Sequence, residues 1–492
     1  MSAELLARLG GPIAGGGLVL LVLAPGRRPR LAGLAVWAIG MALFIPLLAP
    51  SGHTGLLAGG AVLALALAVV LAVVFRRQPW ALAFLTLAAV PARLPITVGN
   101  SSANLLVPLY AVVAGAAVAL AWGLWRDGGR RELGVLSWPL AAFVGWTGLS
   151  ALWSSDPKQG AIELFFFVLP FALLSVALAR LSWSERALAW LCRLLFAMAL
   201  LFAAVGIGQW LTRDVFWNPK VLHGNAYAPF FRVNSLFWDP SIYGRFLAIT
   251  ILAALVLVLF APSRRWDVAL VLMIAALWVG LLFSFSQSSF SALVAGVILL
   301  VALAWRRRAL AVVGLVAALM IAVGVAPPEF RHVRHSLVAA SASGINRATG
   351  GRFDLVWNGL RIAADNPVGG VGVGGFRRAY LDRFQVPRRV KQPASHTTPV
   401  TVAAETGVVG LALFVWLLVA AAILAFGRPP AGAAPMQLAG VVAGVGLTAV
   451  FVHSLSYNAF FEDPLVWGFF AVAALAARAS RPGAEPRSSA GG

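Results

Sequence analysis

The chain has 492 residues, of which 61% are hydrophobic and 11% are charged. Soluble domains average about 45–50% apolar and about 25% charged residues, so the composition excludes an ordinary soluble protein. Lysine and arginine number 38 against 17 acidic residues, a formal net charge of +21. Most of that surplus lies in short basic clusters between apolar runs. This is typical of the cytoplasmic loops of multi-pass membrane proteins, and we expect no nucleic-acid partner.

The residue types that hold metals are scarce. Cys192 is the single cysteine and lies within an apolar run, which excludes a disulfide framework and a cysteine-based metal site. None of the six histidines forms an HxxxH or HExxH pattern. There is also no pair of acids of the DxD type. The sequence therefore predicts no metal and no cofactor.

Fifteen segments of the chain are long and apolar enough to be candidate membrane spans, since a span needs about 20 such residues. The predicted fold is an all-α polytopic membrane protein with about 12–15 transmembrane helices and one long, partly helical external loop. The candidate spans lie near 5–24, 31–50, 55–75, 80–98, 104–125, 133–153, 160–179, 187–211, 241–261, 268–284, 289–305, 309–326, 400–426, 437–457 and 463–477.

Basic clusters fall on every second junction between these spans, while the intervening junctions are nearly free of lysine and arginine. Because cytoplasmic loops carry the basic excess, this alternation places the C-terminus in the cytoplasm, and the N-terminus outside if the number of spans is odd. The clusters contain Arg27, Arg28 and Arg30; Arg76 and Arg77; Arg126, Arg130 and Arg131; Arg180 and Arg186; Arg264 and Arg265; Arg306, Arg307 and Arg308; Arg428; and Arg478, Arg481 and Arg487.

Two junctions are long, Thr212–Pro240 and Pro327–Pro399, and both fall on the external side. The second contains eleven basic residues and four acids. Anionic lipid headgroups explain such a surplus, and so does an anionic substrate held at the membrane surface; charge alone leaves both open. The predicted regions are a transmembrane bundle (1–211), a transmembrane region with its first external loop (212–326, loop 212–240), the large external loop with the catalytic candidates (327–399), C-terminal transmembrane helices (400–477) and a disordered cytoplasmic tail (478–492).

The large external loop contains an amphipathic segment followed by glycines. Arg352–Ala364 has its apolar residues near one helical face, and Asn366-Pro367 ends that helix. The glycines of 369–375 contain a formal GxGxxG pattern, but no strand precedes it, so we reject a dinucleotide-binding interpretation. A tight turn is the simplest interpretation, and close approach of the backbone to a ligand or helix is the alternative.

His396 is the candidate general base. Thr398 is predicted to cap the following helix and Pro399 to be its first residue, so His396 lies just ahead of a helix N-terminus. The positive end of the helix dipole disfavours imidazolium there and favours nearby anions. Glu405 lies in the same helix, nine residues on. A carboxylate at that depth is usually functional or paired, and we expect it to pair with a nearby arginine.

Other cationic and polar groups approach the same membrane face. They are Arg232 in the first long junction, Arg245 about one turn into the next span, Gln287 at the centre of the polar turn Ser284–Ser291, and Arg377 and Arg378 in the large loop. Arg93 and His453 approach that level too, where each can simply satisfy the bundle interior. Arginine holds phosphate or pyrophosphate through its planar fork of donors. Arginines on a departing pyrophosphate and a histidine base would form a complete glycosyl-transfer site without metal.

In their order along the chain, these features resemble the O-antigen ligase and O-antigen polymerase superfamily of bacterial envelope membrane proteins. The resemblance covers roughly residues 230–412. It is carried by Arg232–Gly244 with Phe-Trp-Asp-Pro, Ser284–Ser291, Gly351-Arg352 with Trp357, Asn366-Pro367 with Val371–Phe376, Ser395-His396 and Ala404–Gly410.

The resemblance implies that the chain moves a glycan from undecaprenyl diphosphate to an acceptor hydroxyl at the external face of the bacterial inner membrane. The acceptor would be a glycan, a lipid or a protein. The family's essential arginines and loop histidine match Arg232, Arg352 and His396. The sequence departs from the family in having Ser286-Gln287 where Ser-Arg is frequent, so that a cationic contact is either missing or supplied by Arg245. It also has His396-Thr397 where His-Asn is frequent.

The sequence leaves the type of reaction partly open. A ligase and a polymerase share donor and site and differ in the acceptor, which the sequence does not name. A transporter or flippase of anionic lipid or solute is the alternative from another class. Transporters often show internal repeats and charges near the midplane, whereas here we find no repeat and the charges gather at one face. A membrane scaffold would leave the basic external loop unexplained.

Overall fold

The computed structural model describes residues 1–49, 54–98, 101–127, 132–216, 218–227, 230–261, 265–305, 352–385, 395–426 and 434–479. The predicted span at 309–326, most of the N-terminal half of the large external loop and residues 480–492 of the predicted tail lie outside the described residues. The first two residues of that tail, Arg478 and Ala479, belong to the last helix, so the predicted disorder is wrong for them.

Within this part of the chain, twelve helices are long and apolar enough to cross a membrane. The prediction of an all-α polytopic membrane protein is confirmed. Including the shorter ones, and with adjacent helices that form one span given separately, the α-helices of the described residues are α1 (Ala3–Leu23), α2 (Arg27–Ala42), α3 (Ile45–Leu48), α4 (Thr54–Arg77), α5 (Ala81–Ala89), α6 (Val107–Asp127), α7 (Ser137–Leu149), α8 (Pro157–Glu163), α9 (Leu169–Ala179), α10 (Glu185–Thr212), α11 (Pro219–Tyr227), α12 (Pro240–Phe260), α13 (Asp267–Ser284), α14 (Gln287–Trp305), α15 (Arg352–Asp365), α16 (Phe376–Arg383), α17 (Thr398–Phe426), α18 (Pro435–Ser454) and α19 (Pro464–Ala479).

The predicted span at 80–98 is wrong. Only Ala81–Ala89 is helical there, and the chain then forms a two-stranded antiparallel hairpin of β1 (Leu94–Val98) and β2 (Ser101–Leu105). Pro91 accounts for the end of the helix, because it lacks the N–H that the next helical hydrogen bond needs. The hairpin returns the chain to α6.

The apolar side chains form two large buried clusters. The first is built mainly by α1, α6, α7, α9, α17 and α19, and the second by α10, α12, α13, α14 and α18. Helix α12 is buried along most of its length, with Phe246, Leu247 and Ile251 all at most 2% exposed. Because α12 is enclosed on all sides, a polar residue near its start faces other protein segments and not lipid.

A buried ion-pair network joins three helix termini at the end of the bundle with the basic clusters. Glu132 Oε1 accepts hydrogen bonds from Arg30 Nη1 at 3.0 Å and from Arg180 Nη1 at 2.9 Å. Arg30 Nε also donates to the carbonyl of Leu21 near the end of α1, at 2.7 Å. Two of the arginines that the sequence assigns to the cytoplasmic side are therefore ordered and share one carboxylate.

The predicted orientation can be tested on two exposed positions at opposite ends of the bundle. In a Cys192→Ser background, we expect Ala364→Cys, at the end of α15, to react with an impermeant maleimide in intact cells. Ser182→Cys, beside Arg180, should react only after lysis, because the basic clusters place it in the cytoplasm. Labelling of position 182 but not 364 in intact cells would reverse the orientation.

Candidate functional site

Polar segments from distant parts of the sequence meet at one end of the helix bundle. Helices α12, α14, α17 and α19 begin at this end, which we call the polar end, and α13 and α18 finish there. Ser289 Oγ donates to the carbonyl of Ser241 at 3.2 Å, and Ser288 Oγ lies 3.1 Å from His453 Nε2. These contacts join the starts of α12 and α14 to the finish of α18.

Arg232 is held in place at the polar end through its backbone and its side chain. Its N–H donates to Asn225 Oδ1 at 3.0 Å, and its carbonyl accepts from Asn225 Nδ2 at 2.9 Å. Its Nε donates to the carbonyl of Ser284 at 3.1 Å. The half-buried guanidinium is thus oriented by the end of α13.

The predicted polar turn separates α13 from α14. Phe285 adopts a left-handed conformation with φ 46°, which ends α13. Ser286 Oγ lies 2.8 Å from Ser289 Oγ and 3.1 Å from Ser288 Oγ, so the serine hydroxyls bond within the turn. Gln287, a predicted substrate-binding residue, is the exposed first residue of α14.

Arg245 lies in a cleft at the polar end. Its side chain is 3% exposed, and its Nη2 is 2.7 Å from Asp463 Oδ2. Within the part of the chain that the structure describes, its buried Nη1 has no hydrogen-bond partner. The other Asp463 oxygen, Oδ1, accepts the N–H of Leu465 at 2.9 Å and so caps α19. Arg245 is therefore fixed through one nitrogen by a carboxylate that is itself held by a helix start.

A second, looser ion pair lines the same cleft. Arg93 Nη2 lies 3.8 Å from Glu462 Oε2, with side chains 16% and 40% exposed. Partial burial raises the pKa of Glu462 above its ordinary value, while Arg93 and Arg245 act to lower it. The rest of the lining is mostly apolar and includes Phe237, Ile242, Phe246 and Leu465.

The glycine-rich segment packs against a break in α17. Gly407 has φ 69° and ψ −171°, a conformation open almost only to glycine. The N–H groups of Val371 and Gly372 donate to the carbonyls of Ala404 and Glu405, each at 2.9 Å. A Cβ on Gly370 would lie 2.3 Å from the Glu405 carbonyl carbon. Of the two interpretations of these glycines, the structure supports close backbone approach, here to a helix.

The other side of this segment contacts the residues between α7 and α8. Ser154 Oγ donates to the carbonyl of Val373 at 2.7 Å, and the N–H of Ser155 donates to that of Val371 at 2.9 Å. Trp153 Nε1 donates to the carbonyl of Gly369 at 3.0 Å. The C-terminal part of the large loop is consequently bonded to the transmembrane bundle.

The predicted pairing of Glu405 with an arginine is not found among the described residues. Its carboxylate is buried, and its Oε1 accepts the backbone N–H of Phe376 at 3.1 Å, at the start of α16; it forms no ion pair with any described residue. The first N–H groups of a helix have no partner within it and carry partial positive charge, so they suit a carboxylate. Glu405 thereby positions α16.

Helix α16 carries the two further arginine candidates. Arg377 is half-buried, and its Nε has no hydrogen-bond partner among the residues described. Arg378 is more exposed, with its Nε 3.8 Å from Asp382 Oδ2 one turn along. Arg383 pairs with Asp365, which joins the finish of α16 to that of α15.

His396 is held in an uncommon backbone conformation. It is half-buried with φ 55°, in the left-handed region. Ser395 Oγ accepts the N–H of Thr397 at 3.1 Å, and Thr397 Oγ1 donates to the carbonyl of Leu455 at 2.9 Å. The predicted cap is one residue off, because α17 already includes Thr398. His396 thus lies two residues ahead of α17, beside the segment that joins α18 to α19.

Arg352 is the first residue of α15, as the amphipathic pattern predicts. Its side chain lies outside the described residues, so its distance from Arg232 and His396 is not part of the site's geometry. Among the residues described, no group of three His, Cys, Asp or Glu side chains is arranged to hold a metal ion.

Sequence reasoning missed Glu462 and Asp463. The sequence does contain a feature that could have identified them: two consecutive acids lie directly before the apolar run that begins at Pro464, in a chain with only 17 acids. Tyr457 belongs to the same segment. Its phenol is buried, which raises its pKa, near Asp239 and Arg245.

Residues 268–415 match the family model of the O-antigen ligase. The resemblance inferred from the sequence is confirmed over this segment, which includes the serine-rich turn, Arg352, the glycine-rich segment, His396 and Glu405. Arg232, Arg245 and the Glu462-Asp463 pair lie outside it. The match supports a glycosyltransferase-like enzyme and applies to ligases and polymerases alike. No curated protein matches the chain.

Proposed function

We propose that this chain transfers a glycan from undecaprenyl diphosphate to an acceptor hydroxyl at the periplasmic face of the bacterial inner membrane, without a metal ion. The observation that carries the proposal is the meeting of Arg232, the serine-rich turn and the His396 segment at one end of the bundle, partly within the O-antigen ligase match. The donor's isoprenoid would lie in the membrane, with its diphosphate at the polar end.

In the proposed reaction, the acceptor oxygen attacks the anomeric carbon of the donor glycan while the bond from that carbon to the diphosphate oxygen breaks. His396 takes the proton of the acceptor hydroxyl, and the leaving diphosphate takes the electron pair of the broken bond. Arg232 and Arg352 stabilise the negative charge that develops on it. Planar guanidinium groups suit this task because each can contact two phosphate oxygens.

The other candidates have supporting roles in this proposal. Arg377 offers a half-buried guanidinium with a donor free among the described residues, and Arg378 adds positive charge beside it. Glu405 acts through α16, by fixing its first turn, and not by touching the substrate. Gln287 is exposed at the start of α14, where it can bind a hydroxyl or phosphate oxygen of the donor.

A polymerase that elongates a lipid-linked glycan is the alternative within the same superfamily. It uses the same donor site and differs in the acceptor. A flippase of anionic lipid is the alternative from another class. The charged groups of the polar end lie at helix ends and not near the middle of the helices, which favours transfer at a membrane surface over transport through the bundle.

The deciding experiment uses the purified full chain in nanodiscs with a lipid-diphosphate glycan donor. Formation of glycan-extended acceptor, with release of undecaprenyl diphosphate, supports transfer. Transfer to lipid A-core or to a protein indicates a ligase, whereas transfer to a second lipid-linked glycan indicates a polymerase. Movement of the donor from one leaflet of a liposome membrane to the other, without glycan transfer, would support the flippase.

Arg232→Lys should lower transfer by about tenfold or more, because lysine offers a point charge without the planar fork that contacts two phosphate oxygens at once. The measurement is the initial rate at limiting donor. Arg265→Lys, at the opposite end of the bundle, is the matched control. Near-normal transfer by Arg232→Lys would reduce Arg232 to general surface charge and favour Arg377 or Arg378 as the donor contact.

A further inference from the structure

Helix α15 has an exposed apolar stripe along one side. Trp357, Leu360 and Ala364 follow one another at spacings of three and four residues, so they share one side of the helix. The side chains of Trp357 and Leu360 are 51% and 44% exposed. Another side of α15 is buried and includes Ile362, which shares an apolar cluster with Ala404 of α17. The stripe is therefore separate from the side that holds α15 on the protein.

The remaining side of α15 is charged. Asp354, Arg361 and Asp365 are exposed there, and the guanidinium carbon of Arg361 lies 5.7 Å from the ring centroid of Trp357. Asp365 pairs with Arg383 of α16. Helix α15 thus has a protein-facing side, an apolar side and a polar side. This division suits a helix that lies in the membrane–water interface, where tryptophan is a preferred residue.

The break in α17 determines how α15 lies relative to the bundle. The ring of Phe414 lies 6.3 Å from that of Phe451, and Thr397 donates to the carbonyl of Leu455. A straight helix between the first members of these two pairs would rise about 25 Å. The second members are one turn apart at the end of α18, a rise of about 6 Å. The break at Gly407 accounts for the difference, so the part of α17 before it runs across the polar end.

Helix α15 lies alongside this part of α17, residues 398–406, which we call the crossing segment. A Cβ on Gly359 would lie 2.6 Å from Val400 Cγ1, and Ile362 belongs to the same buried cluster as Ala404, one turn further along. Successive turns of α15 thus meet successive turns of the crossing segment, so the two run side by side. Helix α15 consequently lies flat across the end of the bundle, at the level where lipid headgroups lie.

The turn after α15 joins the apolar stripe to the lipid-facing surface of the bundle. The carbonyl of Pro367 accepts the N–H of Val408 at 2.7 Å, which places Val368 beside the first residue after the break in α17. Val368 is 63% exposed, and Val408 is exposed too. Lipid-facing residues continue from Val408 along one side of α17, namely Val415, Val419 and Ile423. The stripe of α15 is therefore continuous with a surface that lipid covers.

We propose that α15 and the turn at Val368 form a membrane anchor, in which the apolar stripe and the Val368 side chain insert among the lipid headgroups at the polar end. Burial of apolar surface drives the insertion. Charge contributes little, because the polar side of α15 has one arginine and two acids, and one of these acids is paired within the protein. Headgroups are hydrated, so a cysteine at position 364, in the last turn, still meets an aqueous reagent.

The test measures the depth of single labels in the full chain, without donor or turnover. Trp357→Cys, Leu360→Cys and Val368→Cys are each made in the Cys192→Ser background, spin-labelled and placed in phosphatidylcholine nanodiscs. Power-saturation EPR compares collisions of each label with oxygen, which dissolves in the bilayer, and with a nickel chelate, which stays in water. We expect oxygen collisions to predominate at all three positions, and added phosphatidylglycerol to leave the ratio unchanged.

Asp354→Cys, on the polar side of the same helix, is the matched control, where nickel collisions should predominate. All four labelled positions are exposed, so the fold should tolerate each change, and size-exclusion chromatography verifies this. Nickel collisions as frequent at positions 357 and 360 as at 354 would overturn the anchor and leave the stripe as a surface for another protein. Insertion that requires phosphatidylglycerol would overturn the apolar mechanism.

The anchor also affects the depth of a proposed catalytic residue, and only this step rests on the proposed function. Arg352 is the first residue of α15, so the anchored helix begins at headgroup level, where the diphosphate of a lipid-linked donor lies. Leu360→Glu places a charge in the stripe, and burial of that charge is costly. The oxygen-to-nickel ratio of a label at position 357 should fall to that of the control, with loss of transfer at limiting donor.

The two readouts of Leu360→Glu separate the anchor from the reaction. A lower ratio with unchanged transfer supports the anchor and contradicts its link to Arg352. An unchanged ratio contradicts insertion of the stripe, whatever happens to transfer. A chain that shows no transfer at all, with labels at the expected depth, overturns the proposed function and leaves the anchor supported.

Discussion

His396→Asn should lower the turnover of bound donor by about 10²–10⁴-fold, the usual contribution of a positioned general base. Asparagine is the better replacement here because it tolerates the left-handed conformation that residue 396 adopts, whereas alanine would add backbone strain. Donor affinity should be largely unchanged, because arginines hold the diphosphate in the proposed mechanism. The measurement is single-turnover transfer with donor bound in advance, beside equilibrium binding of the donor.

The control for this prediction is His223→Asn, an exposed histidine on α11 in the other external junction, which should leave transfer unchanged. Lost donor binding with normal turnover of the bound donor would make His396 a phosphate ligand. Unchanged transfer would exclude it as the base. The search would then pass to Glu405, or to a mechanism in which the departing diphosphate accepts the proton.

The membrane helices could be predicted from the sequence because hydropathy over some 20 residues is a local property. The prediction failed at 80–98 for a reason that is also local: Pro91 has no N–H to continue the helix that ends at Ala89, although the apolar run continues. The turn at Ser284–Gln287 was predictable for the same reason, since a short polar run interrupts two apolar ones.

The pairing of charged residues could not be predicted from the sequence. Arg245 and Asp463 are more than 200 positions apart, and nothing in either segment encodes the distance between them. The partner seen for Glu405 could not be predicted either, because a backbone donor leaves no mark on the sequence: the carboxylate accepts the N–H of Phe376. The convergence of Arg232, the serine turn and the His396 segment was predictable only as a shared membrane face, since topology determines the face and packing determines the contacts.

Glu132→Ala should destabilise the folded protein by about 3–5 kcal/mol, the cost of removing one partner from a buried ion pair. Arg30 is 1% exposed and Glu132 is 4% exposed, so without the carboxylate the guanidinium of Arg30 is left buried and uncompensated. Arg180 is 22% exposed and can turn towards water, so most of the cost comes from Arg30. The measurement is the unfolding free energy in detergent, from denaturant titration followed by tryptophan fluorescence.

A double variant separates the cost of a buried, unpaired charge from the cost of lost side-chain packing. Glu132→Leu combined with Arg30→Met should recover much of the stability lost in Glu132→Ala, because apolar residues of similar volume often replace a buried ion pair at little cost. Recovery should be incomplete, since a methionine side chain cannot replace the hydrogen bond from Arg30 Nε to the Leu21 carbonyl. Glu4→Ala, an exposed acid at the start of α1, should change stability by less than about 1 kcal/mol. Equal effects of Glu132→Ala and Glu4→Ala would mean that Arg30 reaches water in the membrane-embedded protein, and that the helix termini at this end are held together by packing alone.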